Sequence, residues 1–386
     1  MVFVLRQLQE KCREQNKGLY VTFVDLTKAF ESVSRSGLWL ILKRLGVSPK
    51  FLQMVIQLHE NERGQVRLNG DLSEPFPISN GVKQGCVLAP TLFGVFFSMM
   101  LKQATVDLDV DEGVYISLKK TEVLHQPTLQ VEYRPPRISI GDTELKSVQQ
   151  FTYLGRIISS DAKMDNEIDN RLAKTNGSFG RLFKRVWNNK SLKSKTKIRV
   201  YRAVVHTTLL YGSETWVTYR SHIRLLERFH QRCLRTNIHC CDFNTNVEVL
   251  EQAEIPRIEA MILKRQLRWA VHVPRMEDHR LPKIVMYGEL SIGHRERGAP
   301  RKRLKDSLKK SLRTCNIDHK EWSDLATDRG IWRHTMNQAT AQFEKDRREV
   351  LEDKRQRRKA RAASTFTPDT TFLCRYCPQI CLFIDF

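Results

Sequence analysis

Two short stretches bring together residue types that suit chemistry on a phosphate ester. In Phe23-Val24-Asp25-Leu26-Thr27-Lys28-Ala29-Phe30-Glu31 a carboxylate closes an apolar, strand-like run, and an aromatic follows five residues later. A carboxylate so placed can hold a hard divalent cation through oxygen. The aromatic, Phe30, can lie under a nucleotide sugar and exclude a 2′-hydroxyl. Asp25 can equally serve as a strand-end helix cap. In Gly81-Val82-Lys83-Gln84-Gly85-Cys86-Val87-Leu88-Ala89-Pro90 the two glycines let backbone approach a nucleotide or template closely. A Gly-Gln loop by itself specifies little.

The elements that must position these residues follow from pattern. Residues 3–16 read as a helix stopped by Lys17-Gly18, and Leu19 to Val24 as a short buried strand ending at Asp25. Ser36 can cap a helix that carries Leu38, Leu40, Ile41, Leu42 and Leu45 and stops at Gly46. A second helix starts at Ser48-Pro49 and buries Phe51, Leu52, Val55, Ile56 and Leu58. Gln65 to Ile78 reads as a hairpin around Asn69-Gly70. After the Gly81 loop comes an apolar helix through Phe93, Phe96, Phe97 and Met100. Residues 129–160 hold strand-like pieces, 166–235 and 247–275 are mostly helical, 293–300 form a linker, and 301–361 are basic and helical. In 247–275 the inner face is Ile258, Met261, Ile262, Leu263 and Leu267.

The 386 residues carry a formal charge of +22, unevenly spread. Residues 1–116 are near neutral at +1, 117–290 carry +12, 291–361 carry +10 and 362–386 carry −1. The stretch 171–240 alone holds +14. Solvated helices usually alternate sign, so this bias points to a phosphate-tracking surface, with a merely solvated basic face as the alternative. No apolar run reaches the roughly 20 residues of a membrane span. With no secretory leader in MVFVLRQLQEKCREQ, the nine cysteines read as thiols.

Taken together and in this order, the motifs resemble the palm of a reverse transcriptase of LINE-type non-LTR retrotransposons. The resemblance runs from about Tyr20 to Cys377. It continues through Leu118-Lys119-Lys120-Thr121-Glu122, Phe151-Thr152-Tyr153-Leu154-Gly155, the stretch Leu209 to Trp216, and Gln266-Leu267-Arg268-Trp269-Ala270. It implies an α+β fold: an incomplete right-hand-polymerase palm, then a helical thumb and a basic helical extension. The implied divisions are 1–160 for partial fingers and palm, 161–290 for thumb and connection, 291–361 for the extension and 362–386 for a mobile tail. By the same resemblance Asp25 is a metal-binding carboxylate for Mg²⁺ and Phe30 the sugar gate. Gln84 and Gly85 lie against template and incoming nucleotide. Lys120 assists the pyrophosphate, and Tyr153, Leu154 and Gly155 hold the primer end. The partners implied are an RNA template and an RNA/DNA hybrid, gripped by the 171–240 stretch.

The family's second metal motif, a hairpin with two adjacent aspartates, belongs between the Gly81 loop and Lys119-Lys120-Thr121. The chain contains no Asp-Asp pair, and Ile116 runs directly into Ser117 as if a segment had been removed. Two-metal phosphoryl transfer needs carboxylates bridging ions about 3.5–4 Å apart. Asp107, Asp109, Asp111 and Glu112 match the acidic loop before the absent hairpin, not the hairpin itself. Glu31 stands where the family usually has Asp, most of the fingers are absent, and no endonuclease precedes the palm. Cys374, Cys377 and Cys381 resemble half a zinc finger with no histidine beyond, and His239-Cys240-Cys241 lacks the spacing zinc prefers. No zinc site is therefore expected, and His206, His222 and His230 are expected in the core or on the thumb surface. The resulting expectation is a reverse transcriptase-like protein with little or no polymerase activity. The alternatives are a non-catalytic RNA- or hybrid-binding protein, or a decayed element that folds poorly. The Lys/Arg runs at 301–305 and 354–361 favour the nucleus.

Overall fold

The protein is described from a computed structural model that covers residues 1–26, 28–83, 85–104, 117–128, 133–238, 244–288, 302–319, 321–364, 371–373 and 380–382. The chain forms two compact units. One comprises Tyr20–His125 and Tyr133–Gln149. The other comprises Met1–Leu19, Gln126–Glu132 and Gln150–Phe386. This differs from a division near residue 160. The first helix, α1 (Val2–Glu14), belongs to the larger unit, because its apolar face carries Phe3 and Val4 into a core built by C-terminal helices.

The smaller unit holds β1 (Leu19–Phe23), α2 (Arg35–Arg44), α3 (Pro49–Gln57), β2 (Arg63–Gly64), β3 (Arg67–Leu68), β4 (Asp71–Leu72), β5 (Phe76–Pro77), α4 (Ala89–Ala104), β6 (Glu122–Gln126), β7 (Ser139–Ile140), β8 (Thr143–Glu144) and β9 (Lys146–Val148). Its three-stranded sheet has the order β1-β6-β9, with β6 and β9 parallel and Val123 opposite Ser147. The central strand is β6, where Val123 and Leu124 are buried. The expectation of a buried β1 needs correcting: β1 is an edge strand, half-exposed along its length, with Tyr20 58% exposed. A strand at an edge lacks the neighbour that would cover its second flank. The Asn69-Gly70 turn joins β3 to β4 as expected, and β2 and β5 extend the same hairpin.

Ser34, not Ser36, caps α2: its hydroxyl accepts from the Gly37 amide at 3.3 Å. In α3 only Val55 is fully buried, and Phe51 and Leu58 are exposed, because a nine-residue helix at the surface buries one narrow stripe. The core of this unit joins Val33, Leu38, Leu42, Val55 and Val82 to Leu92 and Phe96 of α4.

The larger unit continues with β10 (Gln150–Tyr153), β11 (Arg156–Ser159), α5 (Asp165–Arg181), α6 (Ser194–Val200), α7 (Thr207–Leu209), α8 (Arg220–Ile238), α9 (Asn246–Ala253), α10 (Ile258–Ala270), α11 (Leu281–Tyr287), α12 (Leu304–Thr314), α13 (Trp322–Leu325), α14 (Arg329–Ser364), β12 (Thr371–Leu373) and β13 (Ile380–Leu382). Two π-helical turns, Phe183–Trp187 and Tyr201–His206, interrupt the helices around α6. One core gathers Trp187, Tyr201, Leu209, Trp216, Leu226 and Leu234. A second gathers Phe3, Leu267, Val273, Leu312, Trp322 and Trp332. The expected inner face of α10 is buried at all five positions. β12 and β13 pair antiparallel, with Phe372 opposite Cys381, inside the segment expected to be mobile. The linker at 293–300, the pairs His239-Cys240-Cys241 and Cys374–Cys377, and the acidic loop 107–112 lie outside the described residues. No helix among the described residues is long and apolar enough to cross a membrane.

Candidate active site and nucleic-acid surface

Asp25 sits just past the end of β1, and the segment that begins at Ser117 folds against it. The Ser117 amide donates to the Asp25 carbonyl at 2.7 Å, and the Asp25 amide donates to the Thr121 hydroxyl at 3.4 Å. These two bonds bring Lys120 over the carboxylate, its ammonium 3.4 Å from Asp25 Oδ2. Both side chains are more than half exposed, at 73% for Lys120 and 51% for Asp25. The resemblance placed Lys120 at the pyrophosphate; here it pairs with the Asp25 carboxylate. Among the described residues no three His, Cys, Asp or Glu side chains converge as metal ligands. A single carboxylate already paired with an ammonium is a poor donor set for two Mg²⁺ ions.

Phe30 packs on Phe93 of α4, ring centroids 4.8 Å apart, so one face of the candidate gate is committed to the core. The Gly81 loop is tied to the same turn: the Gly81 amide donates to the Val33 carbonyl at 2.9 Å and the Val82 amide to the Phe30 carbonyl at 2.8 Å. Gly81 has φ +85°, and a Cβ there would stand 2.8 Å from Glu31 Cα, so only glycine fits. Gly85 has φ +91° and open space beside it, while Gln84 lies outside the described residues. Sequence reasoning missed Arg35, whose guanidinium donates to the Gly81, His59 and Ile78 carbonyls and pairs with Glu62. Nothing in the pattern around Arg35 marks it, because its partners come from two distant stretches, 59–62 and 78–81.

In the larger unit, Tyr153 and Arg156 close a two-residue hairpin over Leu154 and Gly155. Both turn residues have positive φ, 48° and 74°, the type I′ geometry that matches strand twist. Leu154 is thereby left 69% exposed. The turn is braced from beneath. Tyr211 Oη donates to the Leu154 carbonyl at 3.3 Å, and Arg171 donates to the Gly155 carbonyl. The guanidinia of Arg171 and Arg156 lie over the Tyr211 ring at 4.7 and 5.2 Å, and Arg156 pairs with Glu214. The Tyr211-Gly212-Ser213-Glu214 motif is thus the support of the Tyr153-Leu154-Gly155 turn, a role its sequence alone does not state.

The +14 stretch divides into two kinds of base. Arg171 is buried against Glu167 at 2.9 Å, and buried Lys197 donates to the Trp187 carbonyl at 2.8 Å; both hold the fold. Apart from these and half-buried Arg235, every Lys and Arg from 171 to 240 is exposed. The histidines are structural. His230 is buried beside the Tyr201 hydroxyl at 2.7 Å, and burial pushes it down to about 3. His206 is pushed down to about 4 by burial, with Arg265 and Arg202 adding to the shift. His222 is buried against Asp165 at 3.1 Å.

Residues 3–116 match the family model of reverse transcriptase (RNA-dependent DNA polymerase). Over these residues the chain is similar to reverse transcriptases, and the relatives it matches are named for mobile elements. A transposon-derived protein of Caenorhabditis elegans is 26% identical over 243 residues, covering 57% of this chain and 81% of that protein. The RNA-directed DNA polymerase from mobile element jockey of Drosophila melanogaster is 24% identical over 263 residues, 57% of this chain and 28% of that protein. The Pol polyprotein of a type-2 retrotransposable element of the same fly is 31% identical over 99 residues, 25% of this chain and 9% of that protein. The chain therefore spans less than a third of either fly protein. The family match ends at residue 116, and the sequence contains no Asp-Asp pair.

Proposed function

We propose that this protein binds RNA or RNA/DNA hybrid through phosphates and does not polymerise. The observation that carries the reading is the Asp25–Lys120 pair. Asp25 is exposed at the end of β1 and countered by an ammonium at 3.4 Å. Reverse transcriptases generally work with divalent metal ions. Among the described residues Asp25 is flanked by Lys120 and no group of three ligating side chains converges to hold two such ions over a primer 3′-hydroxyl. The Tyr153-Leu154-Gly155 turn, in contrast, is fully braced and presents its tip to solvent. The exposed bases of 171–240 supply a surface suited to phosphates, with little sequence preference. The palm and thumb assignments, the primer role of the turn and nuclear residence belong to the same proposal.

The test is primer extension on an RNA template with Mg²⁺, run beside hybrid binding across a salt series. The expected result is no extension product and binding that weakens steeply with salt. Product that vanishes in Asp25→Asn would overturn the proposal and place further carboxylates, such as those of 107–112, at the site.

A further inference from the structure

Along α8, Arg220, Arg224, Arg228 and Arg232 recur every four residues, so their side chains follow one face at steps of about 6 Å. That face is one wall of a groove of about 780 Å³. Arg235 and Gln231 continue the wall, Arg257 and Glu259 enter from α10, and Arg347 and Leu351 of α14 line the groove as well. Its acids are already engaged. Glu259 binds Arg220 at 2.7 Å and Arg347 at 3.4 Å. Glu227 accepts from the Ile258 amide at 3.0 Å, and burial pushes its carboxyl up. Arg257 pairs with Glu344 and Arg235 bonds Asn246. The middle of the ladder is different. Arg224 and Arg228 are exposed and carry no ion pair among the described residues, and Arg232 meets only Asn176 and the face of Phe229. Like charges at i, i+4 repel and weaken a helix, so three unneutralised guanidinia in sequence are a standing cost that a bound anion would relieve.

We propose that this groove holds a single nucleic-acid strand by its phosphates, with Arg224, Arg228 and Arg232 as successive phosphate contacts. The proposal rests on the reading that the protein binds nucleic acid, and names where and in which form. The guanidinium fork matches phosphate oxygens two at a time. The 6 Å step along the helix is close to the spacing of phosphates on an extended strand. A groove of about 780 Å³ has room for a few nucleotides of one strand.

The experiment uses the full chain and a fluorescein-labelled oligouridylate, with fluorescence anisotropy read across a salt series. Three proteins are compared: wild type, Arg224→Glu/Arg228→Glu, and Lys43→Glu/Lys50→Glu, which makes the same charge change on exposed lysines outside the groove and outside 171–240. Thermal melts establish that all three are folded. The groove variant is expected to lose at least about tenfold in affinity. Its slope of log K against log salt should fall by about 1.4, roughly 0.7 for each lost single-strand contact. The lysine variant is expected to lose threefold or less. Arg224→Lys/Arg228→Lys should recover the salt slope but only part of the affinity. Equal losses in the two glutamate variants would overturn the groove and leave general basic binding standing. So would a hybrid duplex or polyglutamate that competes as well as unlabelled oligouridylate. Failure of the wild type to bind any polynucleotide would overturn both this inference and the proposed function.

Discussion

The two units carry comparable motifs but very different amounts of support for them. Around Asp25, the strand that delivers the carboxylate is an edge strand with half-exposed side chains, and the unit's buried core is a small cluster between α2, α3 and α4. Around the Tyr153-Leu154-Gly155 turn, two aromatic-rich cores stand behind a buried ion pair. Glu167, 1% exposed, accepts from Arg171 at 2.9 Å and from the Ile157 amide at 2.6 Å. The contrast teaches which of the two candidate sites is held in place by its own unit. A turn supported by helices from its own unit keeps its geometry. A two-metal site needs converging carboxylates, and among the described residues no three ligating side chains converge.

The largest test of this contrast lies in the better-packed unit. Trp216 is 1% exposed, and its carbonyl accepts from Gln266 at 2.8 Å. Trp216→Ala should cost about 3–5 kcal/mol of stability through the cavity it leaves. Chemical denaturation followed by hydrogen exchange should show protection lost across α5 to α10, with the Asp25 unit little changed. A loss shared equally by both units would mean that they unfold as one and that the contrast is structural only.

A pH effect comes next. Glu10 of α1 accepts from the Leu304 amide at 3.2 Å, capping α12, and burial raises its carboxyl from 4.5 to about 7. Between those values the folded state holds a proton that the unfolded chain has released. Stability therefore falls as pH rises from about 4.5 to 7, by up to about 3 kcal/mol. Glu10→Gln keeps an oxygen for Leu304 and removes the titration. The difference in unfolding free energy between Glu10→Gln and wild type should thus grow with pH through this window and level off above it. A constant difference would show that Glu10 ionises normally. Buried His206 and His230 titrate in the opposite sense, taking protons more readily when unfolded, and cancel from the comparison because both proteins contain them.

Gly81→Ala probes the smaller unit. A Cβ at φ +85° and 2.8 Å from Glu31 Cα must displace the turn that carries Phe30. A cost of about 1–3 kcal/mol is expected, larger than a surface substitution and smaller than the Trp216 cavity. Urea melts monitored by exchange of the β1 and α4 amides would measure it. An unchanged midpoint would mean that the Gly81 loop is not tied to Phe30 and Val33.

How much of this was legible in the sequence varies with the range of the interaction. Asn69-Gly70 specified its hairpin because a type I′ turn is a two-residue property. The five inner residues of α10 were legible because one face of one helix decides them. The strand at Leu19–Phe23 was legible, but its exposure was not, since burial depends on which strand lies beside it. The cap of α2 went to Ser34 and not Ser36, because the turn is set by Arg35 reaching His59, Glu62, Ile78 and Gly81. Arg171 and Lys197 read as surface bases, yet each is buried on a partner elsewhere in the fold. The sequence singled out Asp25 and Lys120 separately, and the reading of Lys120 as a pyrophosphate contact did not foresee that it would close on Asp25.

The smallest expected effect is the one that bears most directly on function. Asp25 and Lys120 are both more than half exposed, and exposed ion pairs contribute about 0–1 kcal/mol. Asp25→Asn should therefore change stability by less than about 1 kcal/mol, and hybrid binding should be unchanged or slightly tighter once a negative charge is removed. In an assembled two-metal site the same substitution would remove a ligand to both ions, and a divalent-metal titration would lose its heat. Calorimetry of wild type and Asp25→Asn with Mg²⁺ discriminates directly. Matching, featureless titrations are what a lone carboxylate under an ammonium predicts. A saturable heat in the wild type that Asp25→Asn abolishes would mean that other acids reach the end of β1, and that the weakly supported unit is the one still built for catalysis.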